Sequence, residues 1–119
     1  MTAFWLLMIA ICFSVTGELF LKTGMNQIGV VTWDNALSSL LRCATNTKIL
    51  LGFTGFGLGA IFWLAVLSRA QLSWAYPMLS LGYVLVLVFS SIILREPVSP
   101  VRWLGALVIC VGVFLISRS

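Results

Sequence analysis

Glu18 and Lys22 lie one helical turn apart near the end of a run of sixteen apolar or small residues, and Ser14 lies one turn before them. Acid four residues before base is the favourable order for a helical pair. Ionisable groups are expensive in hydrocarbon, and where they occur inside a span they serve a path or a partner. A first helix starting near Thr2 has its midpoint near Cys12. Glu18 is then ~9 Å and Lys22 ~15 Å from the midplane at ~1.5 Å per residue. Lys22 can snorkel to the head groups, whereas Glu18 stays in the apolar slab. The stripe Ser14, Glu18, Lys22 therefore predicts a wet groove. Lys22 would offer a cation to an anionic head group. Glu18 would hold Lys22, bond a substrate hydroxyl or amine, or exchange a proton. The competing structural reading is a mutually satisfied pair that orients the helix.

A second set of polar groups sits in SWAYPMLSLGY. Ser73, Tyr76, Ser80 and Tyr83 recur at i, i+3, i+7 and i+10, so one helix face carries hydroxyls. Pro77 removes a backbone hydrogen bond and predicts a hinge there. No histidine is present, and Cys12, Cys43 and Cys110 form no CxxC pair. No metal, cofactor or catalytic constellation is expected, and GFGLG lies within an apolar run rather than between a strand and a helix.

The elements that position these groups follow from the solvent. Of 119 residues, 61% are hydrophobic and 8% charged, with a mean hydropathy of +1.15. Soluble domains run at about 45–50% apolar and about 25% charged. Lipid must be the solvent for much of this chain. The net charge of +4 is scattered at the edges of apolar runs, which argues against a nucleic-acid partner. The N-terminus lacks a basic leader, so a retained first helix is expected.

Four runs are long enough to span: about 2–22, 49–67, 73–94 and 101–117. The expected fold is an all-α, four-helix membrane protein in one domain. Between the first two spans, Trp33, Ala36, Leu37, Leu40 and Leu41 fall on one face. They predict an interfacial helix over about 33–43, with Thr32 as its cap. Lys22, Arg42, Lys48, Arg95 and Arg102 gather at one edge, against Arg69 and Arg118 at the other. That bias favours a cytoplasmic location for the first and third connections. Gly52, Gly55, Gly57 and Gly59, and separately Gly105 and Gly112, mark faces for close helix contact, within the chain or with a second copy.

Residues 75–117 also resemble a known family. AYPMLSL, then EPVSP, then Trp103 with Gly105 and Gly112, is similar to the second half of aminoarabinose-phosphoundecaprenol flippase subunits. Gly17, Lys22 and FWLAVL at 62–67 extend the resemblance more loosely over the first half. These subunits belong to the small multidrug resistance and drug/metabolite transporter superfamily. The resemblance implies four spans working as a homodimer or heterodimer in a bacterial inner membrane, with Gly105 and Gly112 at the dimer contact. It places Ser14 where the multidrug exporters carry their first-helix Glu, Leu79 where they carry a Trp, and Tyr76 on their Tyr.

The function implied is flipping of a polyprenyl-phosphate-linked monosaccharide or similar anionic glycolipid. Glu18, Lys22, Ser14, Tyr76, Ser80, Tyr83, Arg95 and Arg102 are then the candidate substrate contacts. The interfacial helix would guard the lipid portal. Two other readings stand beside it: a proton-coupled exporter of small cations acting through Glu18, and a structural subunit that transports nothing.

Overall fold

An amide or carbonyl in hydrocarbon has no water to bond, so each spanning segment must satisfy its own backbone as a helix. The computed structural model describes residues 2–119, and among them every element is helical. In chain order these are α1 (Thr2–Ile28), α2 (Ala36–Thr45), α3 (Thr47–Leu67), α4 (Leu72–Met78), α5 (Ser80–Ile92) and α6 (Pro100–Ser117). Four stretches have the length and apolarity of a span: α1, α3, α4 with α5 taken together, and α6.

The first helix outlasts its apolar run. It continues six residues beyond Lys22 to Ile28, through the polar stretch Thr23-Gly24-Met25-Asn26-Gln27. The extension is held because Gly24 packs on the first turn of α3 and Met25 Sδ lies 3.6 Å from Cys43 Sγ of α2. Gly29 then ends the helix at φ +98°, a left-handed conformation that suits glycine, with its amide closing onto the Met25 carbonyl.

The short helix begins at Ala36 rather than Trp33, and Thr32 is not its cap. Asn35 instead organises the preceding turn, accepting from the Thr32 amide and donating to the Val30 carbonyl. Trp33 lies in that turn and is 97% exposed, while Leu37, Leu40 and Leu41 form the exposed apolar face of α2. Asn46 links α2 to α3 as a true cap, accepting from the amides of Lys48 and Ile49. Ser99 caps α6 with Pro100 in the first turn, where a missing amide proton costs nothing.

The third span is not one regular helix over 73–94. It is interrupted at Leu79, two residues past Pro77, and ends at Ile92. Pro77 has no amide proton to return to the Ser73 carbonyl, and the turn after it tightens. The Leu79 amide bonds back to both Ala75 and Tyr76, and the Gly82 amide reaches Leu79 in a three-residue step. Arg95 follows at φ +55° as the chain turns toward α6, with the Glu96 amide on the Ser90 carbonyl.

Packing centres on an antiparallel α1–α3 seam. A Cβ on Gly17 would lie 2.7 Å from the Gly52 carbonyl oxygen, so backbone meets backbone there. Gly55 and Gly59 continue the seam against Phe13, Gly17, Ala10 and Ser14, and Phe13 stacks on Phe62. The α3 glycines thus serve a contact within the chain, except Gly57, which faces open space. Leu7, Ile11 and Val15 of α1 join Val66, Ala75 and Met78 in the core. This cluster lies toward the edge bearing the N-terminus. The helix order puts Lys22, Lys48, Arg95 and Arg102 toward the opposite edge.

Candidate functional site

Glu18, Ser14 and Tyr83 line one open-sided cavity of about 160 Å³, whose other walls are Ile11, Val15, Phe56, Leu79, Gly82 and Val86. Three elements build it. On α1 the acid and the hydroxyl are four residues apart, so both point between α3 and α5. The glycine seam brings Phe56 close on one side. Gly82, which has no side chain, lets α5 approach Ile11 and Val15 on the other.

The α1–α3 register sets the depth. Ala10 to Ser14 lie opposite Gly59, and Gly17 lies opposite Gly52 to Phe56. The middle of α3 is therefore level with Ser14, and Glu18 is ~6 Å from that level at ~1.5 Å per residue. That is deeper than the apolar run alone implies. Among the described residues, neither the Glu18 carboxylate nor the Ser14 hydroxyl has a protein hydrogen-bond partner. No buried side-chain oxygen or nitrogen among the described residues is left unsatisfied. Their polar atoms therefore reach the open part of the cavity, where a ligand or water can meet them.

Lys22 stands apart. Its side chain is exposed and does not line the Glu18 cavity, and no ion pair forms among the described residues. Spacing puts the two on neighbouring strips of α1, but four methylenes let the ammonium follow the head groups rather than the carboxylate. Ser80 is half-buried and donates to the Pro77 carbonyl, so its hydroxyl repairs the helix interruption instead of facing the cavity. Tyr76 packs edge-on against Trp63 at 6.2 Å and remains 60% exposed. A second hollow of about 190 Å³, lined by Ser14, Phe56, Gly59, Trp63 and Leu79, adjoins the first. Ser14, Phe56 and Leu79 border both hollows, and Trp63, against which Tyr76 packs, lines the second.

Arg95 and Arg102 are exposed at the α5–α6 link and line neither of these hollows. Gly105 and Gly112 have nothing within 4 Å of an added Cβ, which leaves their strip of α6 uncovered by the chain itself. Phe56, Leu79 and Gly82 were not singled out as site residues from the sequence. Their types carry no chemistry, and only the fold makes them walls.

Four membrane-length helices among the described residues, three of them lining an acid-bearing cavity, fit a small multi-pass membrane transporter. The chain belongs to the EamA-like transporter family, whose pattern its residues 1–118 match. A protein of Pseudomonas savastanoi pv. phaseolicola is 34% identical over 118 residues, covering 96% of both chains. One of Proteus mirabilis is 32% identical, covering 97% of this chain and 96% of that one. A Pseudomonas aeruginosa protein is 41% identical over 69 residues, covering 58% and 60%. Each is named a probable 4-amino-4-deoxy-L-arabinose-phosphoundecaprenol flippase subunit. No solved structure matches the chain. With these relatives and four spans, the chain is a multi-pass protein of a bacterial inner membrane.

Proposed function

We propose that this chain is one subunit of a flippase that carries a polyprenyl-phosphate-linked amino sugar between leaflets, without catalysing a chemical step. The observation that carries this reading is the unpartnered Glu18 carboxylate at mid-membrane depth, beside Ser14 and Tyr83. The sugar named for the relatives bears one amine on a ring of hydroxyls. An ammonium would meet Glu18, and the ring hydroxyls would meet Ser14 and Tyr83. Lys22 lies four residues, ~6 Å of rise, toward the cationic edge, and there it would take the phosphate. Arg95 and Arg102 would attract the anion before Lys22 does.

Three spans line an open-sided cavity of about 160 Å³ and do not enclose a sugar phosphate, so a second chain would complete the path. The strip of α6 at Gly105 and Gly112 is where that chain, an identical copy or a related subunit, would pack. The prenyl tail would stay in lipid on the open side.

Reconstituted vesicles carrying the lipid-linked amino sugar, assayed for its accessibility in each leaflet, test the reading. Glu18→Gln keeps the shape and removes the charge, and translocation should fall at least tenfold with assembly intact. Lys22→Ala should weaken it as well. Loss of small-cation resistance in Glu18→Gln, with lipid flipping untouched, would instead establish a proton-coupled exporter. Unchanged transport in both variants would leave a structural subunit.

A further inference from the structure

On the side of α1 turned away from Glu18, Thr16, Leu19, Phe20 and Thr23 form an outward crevice of about 270 Å³ with Lys48 of α3 and Ile93. At roughly 100° per residue, Thr16 and Thr23 stand about 140–160° around the helix from Glu18, so the crevice faces the surrounding bilayer rather than the cavity. Its shape is a slot along the helix, about 10 Å from Thr16 to Thr23. Only one charged side chain borders it. Both threonine hydroxyls donate to carbonyls of their own helix, Thr16 to Cys12 and Thr23 to Leu19, so neither has a proton to offer. Lys48 supplies the polarity.

The position of Lys48 is electrostatically unfavourable within the chain. It lies in the first turn of α3, at the positive end of the helix dipole, and it is half-buried. No carboxylate among the described residues pairs with it. A cation so placed is best satisfied by an anion from outside, at the depth where α1 leaves the apolar slab. Apolar walls running inward from that cation fit a phosphate with a single hydrocarbon chain hanging from it.

We propose that Lys48 and this face of α1 form a seat for one anionic phospholipid of the bilayer, its phosphate on the Lys48 ammonium and one acyl chain along Thr16 to Thr23. The seat is separate from the Glu18 cavity, and its occupant stays in place while substrate moves on the other side of α1. A basic group facing anionic lipid shifts occupancy by about fivefold.

The purified full-length chain is mixed in detergent with equal amounts of phosphatidylglycerol, phosphatidylcholine and a polyprenyl phosphate, and retained lipid is weighed by native mass spectrometry. Phosphatidylglycerol should be kept about fivefold over phosphatidylcholine. Lys48→Gln should abolish that preference, Lys48→Arg should keep it, and Arg69→Gln at the other edge should leave it unchanged. Thr16→Phe fills the slot and should lower retention of the acyl lipid with Lys48 in place. Equal retention in Lys48→Gln and the parent chain overturns the seat. Displacement of phosphatidylglycerol from Lys48 by the polyprenyl phosphate also overturns it, because the crevice would then belong to the transported lipid.

Discussion

Replacing Gly17 by alanine puts a single methyl group into the α1–α3 seam. That Cβ would stand 2.7 Å from the Gly52 carbonyl oxygen and 3.0 Å from the Phe56 amide nitrogen, both fixed backbone atoms. No side chain there can swing aside, so the helices themselves must part. Overpacking of this kind costs ~1–3 kcal/mol. Gly57→Ala is the matched control on α3, because nothing lies within 4 Å of its added Cβ. Alanine gains ~0.8–1.0 kcal/mol of helix propensity over glycine in both variants, and that gain cancels in the comparison. Gly17→Ala should therefore unfold more readily than Gly57→Ala by ~1–3 kcal/mol, roughly 5- to 150-fold in the equilibrium constant. Reversible unfolding in mixed micelles of rising dodecyl sulfate fraction, followed by tryptophan fluorescence, measures it. A Gly17→Ala protein as stable as Gly57→Ala would refute the seam.

Two further expectations concern the cationic edge and α6. Arg95→Gly relieves a left-handed backbone, φ +55°, and should stabilise the fold by about 1 kcal/mol; slower lipid flipping in that more stable variant would place the guanidinium on the substrate path, and unchanged flipping would remove it. Gly105→Leu and Gly112→Leu meet no atom of their own chain, so monomer stability should hold while the dimer fraction drops in chemical cross-linking. A persistent dimer would put the contact on another face.

Much of this architecture was legible because lipid imposes few choices. A backbone that must satisfy itself over ~30 Å becomes a helix of about 20 residues, and the apolar runs mark four of these. Hydropathy shows where lipid ends, however, and not where a helix ends. Residues 23–28 turn polar at the membrane edge, yet α1 continues because Gly24 and Met25 find partners on α3 and α2. The interruption at Leu79 was foreshadowed by Pro77, but its place depends on how the Ser80 hydroxyl bonds the Pro77 carbonyl and the Leu79 amide those of Ala75 and Tyr76.

Ser14 and Glu18, grouped by helical spacing, line one cavity, because short side chains follow their helix face. The grouping does not extend to Lys22, whose long stem separates the charge from the face that carries it. Ser80 shares the periodicity of Tyr83 but spends its hydroxyl locally. Phe56, Leu79 and Gly82 became walls through tertiary packing alone, a relation that no single-chain periodicity encodes. Gly55 and Gly59 announced close packing, and the choice of α1 as their partner required the complementary small surface of Gly17.

The bare backbone contact between α1 and α3 also decides which parts of the molecule are free to shift during work. Where Gly17 meets Gly52 and Phe56, one helix cannot slide along the other without main-chain collision. The pair is thereby locked in register, whereas the third span is interrupted at Leu79 and α6 buries only Ala106.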